Sequence, residues 1–372
     1  MRTILIIMGR YLPGYKDGGP LRSIKNLTDR LGDEYDFRIL TTDRDHGDAV
    51  PYPDIQHRTW NQVGKTRVWY VEPGGFTAEL IQEKADMADV VYVCGCFNDY
   101  ARTTLKLKKD GKITKKVVIA PMGLFDAGAF HIKYHKKQIY ITLLKVLGMF
   151  KHVEWSATNE QEIIDVKRVI GNNAQCHLAE DIPRQLEKDR NPVSKQDVLK
   201  VVFLSRISPK KNLKYAIEIL KNVTEKVEFD IYGPNSETKY FEECLKSARE
   251  LPQNITVSYC GEVPTEQVPE VFARYQVFLF PTLGENYGHV IYEAMAEGCI
   301  PIISDRTPWK QIDDVKAGKI IPLENKKQFT ETIQWLAELS PEEFLEWQRR
   351  AMNFARQYGE SVNCNGYRKI FG

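Results

Sequence analysis

Short apolar runs alternate along this chain with stretches whose apolar residues recur every three or four positions. TILIIMG (3–9), FRILTTD (37–43), RVWYVEP (67–73), VVYVCG (90–95), KKVVIAP (115–121), VEWSAT (153–158) and AQCHLAEDI (174–182) read as strands. Between them, PLRSIKNLTDRL (20–31), TAELIQEKADMA (77–88), NDYARTTLKLKKDG (98–111) and EQEIIDVKRVIG (160–171) read as amphipathic helices. Strands that are apolar throughout, rather than at every second position, are buried on both faces. The pattern therefore predicts an α/β fold with a parallel sheet covered by helices on both sides.

At PRQLEKDRNPVSKQD (183–197) the rhythm breaks into a polar, charged stretch with two prolines, read as a linker. The same alternation then restarts with VVFLS, LKYAIEILKNV, VEFDIYG, TKYFEECLKSARE, NITVSYCG, TEQVPEVFARY, VFLFPT, a helix near residue 288, and CIPIIS. Two tandem Rossmann-like domains are predicted, 1–185 and 186–355, with 356–372 crossing back to the first. Open parallel sheets bind ligands beyond the carboxyl ends of their strands, and with two domains a cleft between them is the expected site.

Composition narrows the function. Of 372 residues, 52 Lys and Arg oppose 50 Asp and Glu, a formal charge of only +2, which argues against a nucleic-acid partner. The apolar start, MRTILIIMG, is too short for a membrane span and has no cleavage signal after it, so it is read as a buried strand. Seven scattered cysteines suggest reduced thiols and a cytoplasmic location. Cys94 and Cys96 are expected to pack at a strand end. The DRD at 43–45 is expected to be a solvated turn, and His131 and His135 are assigned no metal, because HIKYH lacks the Glu of a zinc hydrolase motif.

Three strand-to-helix junctions carry the candidate chemistry. In DGGPLRSI, Gly18 and Gly19 precede a proline suited to a first helical turn; the glycines either let a ligand approach backbone amides or simply form a tight strand-to-helix turn. In SRISPKKNL, Arg206, Lys210 and Lys211 stand before a helix whose cap is expected to be Asn212. Cations before a helix start oppose its dipole, which points to an anion held between them. In LGENYGHVIYEAMAEGC, Glu285 sits on the loop and Glu293 one or two turns into the helix; carboxylates grip paired sugar hydroxyls through parallel hydrogen bonds.

Together these segments resemble the retaining GT-B glycosyltransferases of family 4, the glycosyl transferases group 1 type. Glu285 and Glu293 match that family's Glu-x7-Glu motif, Arg206 and Lys211 its Arg-x4-Lys pair, and Gly18 and Gly19 its amino-terminal glycine loop. The resemblance implies a nucleoside-diphosphate sugar donor, with Glu293 on the ribose hydroxyls and Glu285 on the transferred sugar. It places the amides of Asn286, Tyr287 and Gly288 on the sugar or diphosphate, Arg206 and Lys211 on the diphosphate, and Gly19 over it from the other domain. Arg206, Lys211 and Glu285 are then the catalytic set, no metal or other cofactor is required, and retention proceeds by front-side attack. His289 belongs to a form of the motif common among bacterial members, with packing beneath the loop and ligand contact equally weighted. One departure stands out: Met122 or Gly123 occupies the place where many members carry a histidine.

The implied acceptor is a saccharide or a lipid-linked saccharide, in bacterial surface polysaccharide synthesis. The aromatic, basic stretch 127–151 bears on it. Ile139, Tyr140, Leu143, Leu144 and Leu147 fall at helical spacing, ringed by Lys133, Lys136, Lys137, Lys145 and Lys151. The preferred expectation is a core-facing helix with solvated lysines; the other is peripheral contact with the inner membrane face. Two further readings share the fold: a sugar-nucleotide epimerase, and a non-catalytic sugar-nucleotide-binding protein.

Overall fold

The computed structural model describes residues 1–126, 134–186 and 190–372. The chain divides into two compact units, one of Met1–Ile182 with Val362–Gly372, the other of Pro183–Ser361. His131 and Lys133 lie outside the described residues.

In the first unit eight described strands form one sheet: β1 (Arg2–Ile7), β2 (Tyr35–Thr42), β3 (Trp60–Val63), β4 (Thr66–Val71), β5 (Val90–Cys94), β6 (Lys116–Ala120), β7 (Glu154–Ala157) and β8 (Cys176–Leu178). Their order is β3-β4-β2-β1-β5-β6-β7-β8. All pairings are parallel except β3 with β4, a hairpin at the edge. The periodicity had not marked β3, because WNQV is short, half-polar and only partly buried. Helices α1 (Gly19–Leu31), α2 (Ala78–Asp86), α3 (Asp99–Lys109), α4 (Tyr134–Val146) and α5 (Glu160–Ile170) follow strands in this unit. Ile4 to Ile7 are completely buried, as a strand covered on both faces must be. Cys94 and Cys96 are both buried at the end of β5, and burial pushes their thiols well above the ordinary range.

The second unit has a parallel sheet of β9 (Leu199–Leu204), β10 (Val227–Tyr232), β11 (Ile255–Tyr259), β12 (Val277–Phe280), β13 (Ile300–Ser304) and β14 (Lys319–Ile321), ordered β11-β10-β9-β12-β13-β14. Its helices are α6 (Leu213–Leu220), α7 (Thr238–Ala248), α8 (Val268–Phe272), α9 (His289–Ala296), α10 (Lys326–Glu338) and α11 (Pro341–Ser361). The last helix, α12 (Asn365–Phe371), belongs to the first unit, where the Phe371 ring packs edge-on against Tyr35, Phe37 and Tyr92.

Two expectations need correction here. The stretch read as a linker is bound into the second unit over its described residues. Arg184 and Arg190 both pair with the buried Glu297, while the amides of Gln276 and Gln348 donate to the carbonyls of Ser194 and Val193. Part of its polarity is ion pairing with Glu297. Helix α4 turns only part of its predicted stripe to the core: Leu144 is buried beside Ile141 and Tyr140 packs half-buried against them, whereas Ile139, Leu143 and Leu147 are exposed.

Candidate functional site

Strands β9, β12 and β13 are neighbours and run parallel, so their carboxyl ends share one edge of the second sheet. From β9 the chain proceeds outward through β10 and β11, then returns to start β12 on the other side. In open parallel sheets such a reversal of strand order is where ligands bind.

The loop after β9 is anchored on either side of Arg206. Ser205 and Ile207 donate their amides to the carbonyls of Tyr232 and Pro234, at 3.1 and 2.9 Å. Gly233, at φ 137°, permits this approach; a Cβ there would stand 1.9 Å from the Ser205 oxygen. A single 3-10 turn, Pro209–Lys211, follows, and Asn212 adopts a left-handed conformation. Asn212 precedes α6 as expected but does not cap it with its side chain. Its amide instead donates to the Pro281 carbonyl at 2.9 Å, because the left-handed backbone turns the side chain toward β12.

This ties the first loop to the second. Leu283 N donates to Lys210 O at 2.8 Å, and Thr282 Oγ1 lies 3.1 Å from the same oxygen. Lys211 Nζ donates to Glu285 Oε1 at 2.6 Å, and Thr282 Oγ1 donates to that carboxylate oxygen at 2.9 Å. Glu285 N is held by the Arg306 carbonyl at 3.1 Å, and Trp309 Nε1 donates to the Tyr287 carbonyl at 2.6 Å. Three chain segments thus hold the Glu285–Gly288 turn. Gly288, at φ 82°, starts α9, a conformation that favours glycine, and no side chain caps that start. Asn286 and Tyr287 lie on the same turn, and the buried His289 packs its ring 4.5 Å from that of Tyr287. Glu293 stands one turn into α9 and is also buried.

The electrostatics are lopsided. Arg206 is exposed, and neither its side chain nor that of Lys210 makes an ion pair among the described residues. Desolvation lowers the pKa of Lys211; Glu285 opposes the shift, while Lys210 and Arg206 add to it. Three cations therefore act on one another's charge here, and Glu285 pairs with Lys211 alone among them. An anion entering here would relieve their mutual repulsion and restore the charge preference of Lys211.

Gly18 and Gly19 lie in the first unit, at the start of α1. Gly18 (φ 67°, ψ −120°) is in a region that demands glycine. Gly19 is different: a Cβ there would meet nothing within 4 Å. The chain itself gives no steric reason for glycine at 19.

The DRD motif is not a solvated turn. Asp43 and Asp45 are both buried, because nearby loops use them as anchors. Asp45 Oδ2 accepts the amides of Tyr15 and Lys16 at 2.7 and 3.0 Å. Asp43 pairs with Arg44 and His57; burial opposes its ionisation, but those hydrogen bonds outweigh it and its pKa falls below the usual range. Among the described residues no three His, Cys, Asp or Glu side chains gather in a way that could hold a metal ion.

Two buried acids of the first unit escaped the sequence reading. Glu162 accepts Gly123 N at 2.6 Å with one oxygen and the amide and hydroxyl of Thr158, both at 2.8 Å, with the other. It thereby pins the turn at Met122 (φ 54°) and Gly123 (φ 77°), the place where the resembling family often has histidine. Asn159 caps α5 by accepting Glu162 N, so N-x-x-E was a legible capping signal. Its reach to residue 123 was not. Asp181 is the second: burial raises its pKa to about 7, with a hydrogen bond from Ser23 opposing and the charge of Glu162 adding to the shift.

Residues 185–357 match the family model described as glycosyl transferases group 1. A protein of Klebsiella pneumoniae, described as an uncharacterized 41.2 kDa protein in the cps region, is 24% identical over 260 residues, 67% of this chain and 69% of that protein. Sucrose-phosphate synthase of Thermosynechococcus elongatus aligns with a TM-score of 0.71 at 14% identity, covering 100% of this chain and 96% of its own. HepE of Anabaena, solved with UDP-glucose, aligns at 0.69 and 14% identity, covering 100% and 98%. WaaG, a glycosyltransferase involved in lipopolysaccharide biosynthesis, aligns at 0.66 and 15%, covering 99% and 98%. These likenesses establish the fold as two α/β units of the GT-B type.

Proposed function

We propose that this protein is a retaining glycosyltransferase that moves a sugar from a nucleoside diphosphate to a saccharide or lipid-linked saccharide in surface polysaccharide synthesis. The observation that carries the reading is the meeting of Arg206, Lys210, Lys211 and Glu285 at the strand-order reversal of the unit that matches the group 1 model. Breaking the bond from the anomeric carbon to the diphosphate leaves negative charge on the departing group. Cations already fixed there stabilise the transition state more than the ground state.

In this reading Arg206 and Lys211 hold the diphosphate with the amides from Asn286 to Gly288, and Glu285 leaves Lys211 to bind hydroxyls of the transferred sugar. Glu293 takes the ribose hydroxyls. Gly18 and Gly19 contribute backbone amides to the donor, which accounts for a glycine at 19 that the fold does not require. Side-chain cations perform the charge neutralisation that a divalent metal performs elsewhere, so turnover should persist in chelator. The first unit binds the acceptor. HepE bound to UDP-glucose and WaaG acting in lipopolysaccharide biosynthesis support the choice of donor and product class, as does the Klebsiella protein of the cps region.

The test is a panel of nucleotide sugars in thermal-shift and turnover assays. One donor should raise the melting temperature and release nucleoside diphosphate with a saccharide acceptor. A new sugar nucleotide formed without acceptor would identify an epimerase instead, and saturable binding without release a non-catalytic binder.

A further inference from the structure

The chain leaving β13 is tied three times to the loop after β12. Ser304 Oγ donates to the Thr282 carbonyl at 2.5 Å, the Arg306 carbonyl accepts Glu285 N at 3.1 Å, and Trp309 Nε1 donates to the Tyr287 carbonyl at 2.6 Å. Of these three bonds, the last grips the peptide that joins Tyr287 to Gly288.

That peptide is trans and planar, so its carbonyl and its N–H stand on opposite edges. With the carbonyl turned to the buried indole, Gly288 N–H points the other way, and it has no hydrogen-bond partner among the described residues. A carbonyl that accepts a hydrogen bond also makes the N–H of its own peptide a stronger donor. Gly288 lies against Glu285, the partner of Lys211: a Cβ on it would stand 3.4 Å from Glu285 Cγ.

The indole is itself locked. Trp309 is 5% exposed, and the rings of Tyr358, Tyr287, Tyr292 and Phe354 are centred 4.9, 5.4, 6.3 and 6.4 Å from its own. Turning it away would disturb these contacts and leave two buried polar groups unpaired. Phenylalanine would serve the packing; the N–H is what tryptophan adds.

We infer that Trp309 is a positioning residue for the donor. It sets the plane of the Tyr287–Gly288 peptide so that Gly288 N–H meets an acceptor oxygen on the diphosphate-sugar end of a nucleotide sugar. The inference rests on the donor reading above for the ligand, and on the hydrogen bonds alone for the geometry. A purely structural Trp309 would affect every nucleotide alike, whereas a positioning one affects those that reach Gly288.

Trp309→Phe in the full chain tests it, with calorimetry of UMP, UDP and UDP-glucose and of their adenine and guanine counterparts. The nucleotide sugar that binds the wild type should bind the variant roughly five- to tenfold more weakly, with its monophosphate unchanged within twofold. A loss shared by the diphosphate places the N–H on a phosphate oxygen, and a loss confined to the nucleotide sugar places it on a sugar hydroxyl. Equal weakening of all three, or of none, overturns the inference and leaves the donor reading standing. Slow exchange of the Trp309 indole proton, read by nuclear magnetic resonance, reports the bond without any ligand. If no nucleotide sugar binds the wild type, the donor reading fails and takes the role of Trp309 with it, even where that exchange is slow. Should the variant not fold, the wild-type Gly288 amide resonance decides: it should move with the nucleotide sugar and stay with the monophosphate, and a resonance unmoved by the bound nucleotide sugar overturns the inference.

Discussion

At the carboxyl edge of the second sheet, Arg206 and Lys210 have no ion-pair partner among the described residues and Lys211 shares one carboxylate. In the loops of the first unit, Arg10 pairs with Asp17, Lys16 with Asp48 and Arg44 with Asp43. The two sheets are built on one plan but place their charge differently. In the first, opposite charges close on each other and hold loops. At this edge of the second, Arg206 and Lys210 have no ion-pair partner among the described residues, so their field is available to a ligand. Charge satisfied within the chain shapes a site, whereas charge left over binds something.

Lys211→Ala should widen this contrast most. Turnover should fall roughly 10²–10³-fold, as when a fixed transition-state donor is removed, with the unfolding transition retained. A kcat within twofold of wild type in a steady-state assay would remove Lys211 from the mechanism. Glu162→Ala tests the other half. It leaves the amides of Gly123 and Thr158 without an acceptor and should cost about 2–4 kcal/mol in denaturant unfolding, while nucleotide affinity stays unchanged. A shift in nucleotide affinity without loss of stability would contradict that division of labour.

Asp181 sharpens the comparison through pH. Its folded pKa of about 7 lies above the ordinary aspartate value of 3.8, so the folded chain binds the extra proton between those values. The associated stability is fully present below pH 3.8 and is lost as pH rises through about 7, on the order of 1–4 kcal/mol. Melting curves of Asp181→Asn should lose this dependence; identical pH slopes for variant and wild type would dismiss it. The smallest structural effect is expected at Arg206. Because its side chain has no ion-pair partner within the described chain, Arg206→Gln should change stability by less than about 0.5 kcal/mol. Nucleoside diphosphate binding by calorimetry should still weaken roughly tenfold. A large loss of stability would show that the guanidinium serves the fold.

The order of strands and helices was legible because each element announces itself locally. TILIIMG, VVFLS and CIPIIS are apolar throughout because both faces of a parallel strand are covered. β3 was missed because an edge hairpin strand is neither wholly apolar nor cleanly alternating, and β14 because three residues hold too little pattern. The candidate residues on the second unit's loops were legible from their spacing, since Glu285 and Glu293 flank one helix start and Arg206 and Lys211 precede another. Their pairing was not: Lys211 and Glu285 are 74 residues apart, and only the adjacency of β9 and β12 brings Nζ within 2.6 Å of Oε1.

Helix α4 shows the limit in the other direction. Ile139, Tyr140, Leu143, Leu144 and Leu147 predicted a core face, but helical spacing reports only that side chains share a side, not what stands opposite. By itself the sequence determined two parallel-sheet units, the order of the motifs and the residue types at the strand ends, because these depend on periodicity and local backbone chemistry. Tertiary structure decided which charges are paired, which acids are buried and which apolar stripe faces water. Those properties depend on neighbours far along the chain, and burial and Coulomb interactions act through space.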